Sequence, residues 1–151
     1  MKRISTIILA VFISSISAIA SGDEAEKIYT TLKESQHEVF SMSLAKEMVD
    51  FFDMDIDFNG NEQVITGDFS EGKLMILDKG MQLSEVLKLF QKANYKLVEL
   101  ENDDKNDEVG SEIFLYVKGQ DKNIKEAHFI IDEEEKTIVF SVFGDIQVNI
   151  K

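Results

Sequence analysis

Residues 53–63 read DMDIDFNGNEQ, with side-chain oxygens at alternate positions and then a glycine, the opening of a calcium-binding loop. Aligned on that pattern, Asp55, Asp57 and Asn59 fill the first, third and fifth positions and Gly60 fills the sixth. The position of the bidentate glutamate that closes the coordination sphere holds Thr66, so Asp68 or Glu71 would have to supply the missing oxygens. The same letters also describe a turn. Asp53, Asp55 and Asp57 alternate with Met54, Ile56 and Phe58, which sends acids to water and apolar groups to a core, and Asn59-Gly60 reverses the chain. We read the stretch as a turn and keep Asp55, Asp57 and Asn59 as the candidate metal ligands, with calcium the one candidate cofactor.

The remaining chemistry-bearing residues point to no reaction. His37 and His128 are far apart and share no metal-ligand spacing, and the alternation of IKEAHFIID places His128 on the polar side of a strand, where a solvated imidazole is expected. There is no G-x-S-x-G elbow, Walker-type loop or H-E-x-x-H pair. No cysteine is present, which removes disulfides, thiol catalysis, cysteine zinc sites and cysteine lipidation. A protein that is not an enzyme is the expectation.

These residues have to be positioned by elements that the periodicity reveals. Ala25, Ile28, Tyr29 and Leu32 share one helical face, which predicts a short helical lead within 21–35. Leu44, Met48 and Phe52 recur every four residues, so an extended piece at 37–41 is expected to run into a helix at about 43–53. GKLMILD, residues 72–78, reads as a strand buried on both faces. Leu83, Val86, Leu87 and Phe90 follow with helical spacing, Glu85 near the start and Lys92 near the end, and Asn94 marks the stop. The rest is β: strands at 95–101, 111–119, 124–132 and 136–144, joined by short polar turns, predict an antiparallel meander. IQVNI is read as a closing edge strand or tail, and ELENDDKNDE at 99–108 as a solvated acidic loop. The fold class expected is α+β: a single domain, residues 36–151, with a mostly antiparallel sheet of four to six strands and two main helices packed on one face.

Composition sets the surroundings. MKRISTIILAVFISSISAIA has two basic residues, a short apolar core and a small-residue A-x-A end, the pattern of a cleaved signal peptide spanning residues 1–20. It is too short and serine-interrupted for a membrane span, so no stable membrane insertion is expected after cleavage. Removing Lys2 and Arg3 takes the basic count from 16 to 14 against 29 acids, a net charge of about −15. Such a chain is repelled by nucleic acid. A periplasmic or extracellular destination follows.

HEVFSMSLAKEMVDFF, GKLMILD with the helix after it, and the closing EIFLYVKGQDKNIKEAHFIIDEEEKTIVFSVFGDI together resemble the domain of unknown function 4252 family, small exported bacterial proteins. The resemblance covers about residues 28 to 148 and rests most on V-F-S-M-S and on the strand ending Gly144-Asp145-Ile146. It implies a compact α+β envelope protein and transfers no catalytic residue. The function expected is a non-enzymatic module that binds another envelope protein or a peptide, and the alternative is a calcium- or small-ligand-binding protein built on the Asp55–Gly60 turn.

Overall fold

The β-branched and aromatic runs pair into one antiparallel sheet of six strands. A computed structural model describes residues 22–51, 65–98, 112–120 and 123–148. Its elements are α1 (22–34), β1 (Glu38–Ala45), α2 (Lys46–Phe51), β2 (Ile65–Asp78), α3 (Leu83–Lys92), β3 (Lys96–Val98), β4 (Glu112–Gln120), β5 (Asn123–Asp132) and β6 (Lys136–Val148). The strands lie in the order β1-β2-β6-β5-β4-β3, and every neighbouring pair is antiparallel. The fold is α+β, and the last four strands form the expected meander.

Two apolar clusters sandwich the sheet. On one face, Ile28, Tyr29 and Leu32 of α1 and Val86 and Phe90 of α3 pack on Met75, Leu77, Tyr116, Ile130 and Val139. On the other, Val49 of α2 joins Leu44, Leu115, Val117, Ala127, Phe129, Val142 and Ile146. The central strands are therefore buried on both sides, and in β5 the run Glu126–Ile130 is buried throughout, apolar except at Glu126 and His128. Gly144 (φ 146°) and Gly67 (φ 143°) let β2 and β6 cross closely: a Cβ on Gly144 would collide with the Asp68 carbonyl oxygen.

Three elements differ from the sequence expectation. The extended piece continues to Ala45, because β1 pairs residue by residue with β2 from Phe40↔Ile76 to Ala45↔Glu71, and a backbone ladder outweighs the four-residue spacing of Leu44 and Met48. Among the described residues of the expected helix, Lys46–Phe51 is helical, and it packs on the face opposite α1 and α3. The two helices that share a face are instead α3 and the N-terminal α1, whose Ala25, Ile28, Tyr29 and Leu32 are all buried. Finally, Ile146 and Gln147 sit inside the sheet, paired with Gly67 and Thr66 of β2, so the C-terminal strand is central and not an edge. The α3 expectation matches the structure: Glu85 accepts a hydrogen bond from the Gln82 amide at 3.1 Å, and the helix stops at Asn94 in the left-handed conformation (φ 60°).

Candidate functional site

Under α1 and α3, the polar positions of β5 and β6 meet in register. His128 on β5 pairs with Ser141 on β6, and both side chains are 0% exposed. Ser141 Oγ lies 2.6 Å from His128 Nδ1 and 2.7 Å from the Tyr29 hydroxyl, which α1 lowers onto the sheet. His128 Nε2 lies 3.3 Å from Glu126 Oε2, and the Tyr95 hydroxyl donates to the same oxygen at 2.6 Å. Five buried side chains thus form one line, Tyr29, Ser141, His128, Glu126 and Tyr95. Among the described residues no buried side-chain polar atom lacks a partner.

Counting hydrogens gives the line a direction. The Glu126 carboxylate accepts, so His128 Nε2 carries the imidazole hydrogen and Nδ1 accepts from Ser141. Ser141 then accepts from Tyr29. Burial pushes His128 below the ordinary histidine range; Glu126 opposes that shift and Lys118 adds to it. Burial likewise drives Tyr29 and Tyr95 well above the ordinary phenol range, with Glu126 reinforcing the effect at Tyr95. Rings close the remaining sides, with Phe90 at 5.1 Å and Tyr95 at 4.7 Å, centroid to centroid, from His128.

An ionic shell ties α1 over this line. Lys118 Nζ lies 2.6 Å from Glu24 Oε2 and 5.6 Å from the centre of the Tyr95 ring. Lys73 pairs with Glu26 and sits 5.4 Å from the centre of the Tyr29 ring. Ser, His and Glu are the residue types of an acyl-transfer triad. Here Ser141 Oγ is sealed between Tyr29 and His128, so this arrangement offers no path for a carbonyl group to reach it.

The Tyr29 end opens outward. A groove of about 270 Å3 runs between α1 and the outer strands, lined by Glu26, Tyr29, Thr30 and Lys33 above and by Ser41, Ser43 and Lys73 below. Its outer lip is β1, an edge of the sheet. Val39 and Phe40 on that edge are 66% and 46% exposed. Among the described residues the opposite edge strand, β3, spans Lys96–Val98.

Of the residues singled out from sequence, Asp55, Asp57, Asn59 and Gly60 lie outside the described residues, as do residues 1–20 and the acidic stretch 99–108. Asp68 is engaged by Lys46 Nζ at 2.5 Å, which lowers its carboxyl, and Glu71 stands opposite Ala45 and Phe143 within the sheet. Among the described residues no three metal-ligating side chains gather. His37 bonds Asp78 at 2.9 Å on the surface. The solvated His128 expected from alternation is corrected: it is fully buried, because both faces of β5 are covered and its polar neighbours supply the partners that water would. One signal was available. Counting back from the DEEEK turn places Asp132 opposite Thr137 and therefore His128 opposite Ser141. Nothing in the sequence points to Tyr29 as the third member. Comparison of the chain with protein-family models, curated proteins and solved structures finds no match.

Proposed function

We propose that this chain is an exported, non-enzymatic binding module that takes an extended segment of another envelope protein or peptide as an added strand on β1. The observation that carries the reading is the open edge that β1 presents. Edge strands are ordinarily kept short or guarded by lysine, proline or a cover. β1 departs from that rule: its 8 residues, EVFSMSLA, hold neither lysine nor proline, and Val39 and Phe40 are exposed. A strand added there would gain main-chain hydrogen bonds along β1. Its alternate side chains would fall on two sides: beside Ser41 and Ser43 at the mouth of the groove, or beside Phe40 and Met42 on the other face. The leader-like residues 1–20 and the absence of cysteine support export without a thioether lipid anchor, and membership of the domain of unknown function 4252 family belongs to the same proposal.

Selection of extended peptides from a displayed random library on the purified chain tests this, with the bound surface mapped by amide hydrogen exchange. New protection confined to Glu38–Ala45 and its neighbours is the expected result. Selected peptides that protect a different surface, or a library that yields none, would remove the edge-strand reading.

A further inference from the structure

The Tyr29 hydroxyl has a second acceptor within reach. Besides Ser141 Oγ at 2.7 Å, it lies 3.3 Å from the carbonyl oxygen of Lys73, a residue that lines the groove. A hydroxyl carries one hydrogen, so only one of the two contacts is a donation from Tyr29 at any moment. With His128 neutral, that hydrogen goes to Ser141, because Ser141 has given its own to Nδ1. With His128 doubly protonated, Nδ1–H must donate, Ser141 must accept from it, and the serine hydrogen has Tyr29 as its acceptor. The tyrosine hydrogen then has the Lys73 carbonyl.

We propose that the line Tyr29–Ser141–His128 is a two-state proton relay, in which a proton taken up at the groove reverses both hydrogen bonds and arrives as a proton on His128. The balance is closed. A proton from groove water binds the Tyr29 oxygen, the former Tyr29 hydrogen crosses to Ser141, and the former Ser141 hydrogen crosses to Nδ1. Each hydrogen stays within its own hydrogen bond, no side chain turns, and the final Tyr29 hydrogen faces Lys73. The short contacts of 2.7 and 2.6 Å suit such transfers.

The groups facing the line define what the proton meets. Glu126 on β5 lies 3.3 Å from the far imidazole nitrogen and stabilises the cation formed. Lys118 on β4 opposes it, and Glu24 of α1 holds Lys118 at 2.6 Å. Lys73 of β2 flanks Tyr29 and is paired with Glu26 of α1, Tyr95 donates to Glu126, and α3 contributes the uncharged ring of Phe90. The device makes the groove floor respond to acid through a histidine that solvent does not touch, and it stands whether or not β1 takes a peptide.

The test is nuclear magnetic resonance of the purified chain carrying 15N-histidine and 13C-tyrosine, titrated from neutral pH into acid. The expected result is an Nε2–H imidazole at neutral pH, then gain of the Nδ1 proton, with the Tyr29 Cζ signal moving at the same midpoint. Tyr29→Phe removes the acceptor for the serine hydrogen and should lower the His128 midpoint by about 1 pH unit. Ser141→Ala should let His128 titrate while Tyr29 stays still. An Nδ1–H tautomer at neutral pH, a Tyr29 signal indifferent to His128, or loss of the fold before His128 gains a proton would each overturn the relay.

Discussion

His128 and Ser141 face each other across the β5–β6 hairpin, with Nδ1 and Oγ 2.6 Å apart and both side chains closed off from solvent. A buried imidazole bonded at both nitrogens is costly to remove, because the loss leaves partners unsatisfied as well as a void. His128→Ala strips Ser141 and Glu126 of a partner at once and opens space beside Phe90. A loss of about 3 to 5 kcal/mol is expected from urea unfolding. A loss under about 1 kcal/mol would mean that the polar line adds little to the fold.

The depressed histidine also sets a pH dependence. The unfolded chain protonates His128 near pH 6.5, while the folded chain does so only at lower pH. The group therefore contributes its full stabilisation above about pH 6.5. That contribution declines as pH falls from there towards the folded midpoint and is flat below it. Unfolding curves collected at neutral and mildly acid pH should show the decline, and His128→Gln should flatten that part of the profile. Identical slopes in the two proteins would dismiss His128 as its source.

On the open edge, Val39→Lys and Phe40→Lys guard β1 in the manner of ordinary edge strands. Both positions are exposed, so stability should stay within about 0.5 kcal/mol of the native chain. Binding of any peptide selected on β1 should fall at least about tenfold, read by fluorescence anisotropy. Leu97→Lys, at an exposed position on the other edge strand, is the control and should leave binding intact.

Gly144 holds φ at 146° where β6 passes β2, and any side chain there meets the Asp68 carbonyl. Gly144→Ala should cost at least about 2 kcal/mol through backbone strain and displacement of the paired strand. Thermal unfolding of the variant measures it. A native melting temperature would show that the crossing relaxes freely.

Helix α1 carries Tyr29, one of the two tyrosines of the polar line, and its anchorage is open to a direct check. Leu32 is 0% exposed beneath it, so Leu32→Ala should cost about 2 to 5 kcal/mol. A change below about 0.5 kcal/mol would instead describe a frayed lead segment.

The sequence by itself determined the local elements whose cause is local. Leu83, Val86, Leu87 and Phe90 specify α3 because their spacing makes an apolar stripe, with Glu85 and Lys92 at the matching ends of the helix dipole. The last three β segments specify a meander because the short polar turns GQDKN and DEEEK leave antiparallel pairing as the cheap connection. Tertiary structure decided the rest. Residues 43–45 were expected to open a helix and became a strand, since β2 was there to pair with them. Ala25, Ile28, Tyr29 and Leu32 lacked a visible partner in the chain until the sheet supplied one. Glu126 and His128 look solvated because alternation reports which residues share a face and not whether that face is covered. α1 and α3 cover it, and the line from Tyr29 to Tyr95 joins residues from four separate stretches of chain, a proximity that no spacing within one stretch encodes.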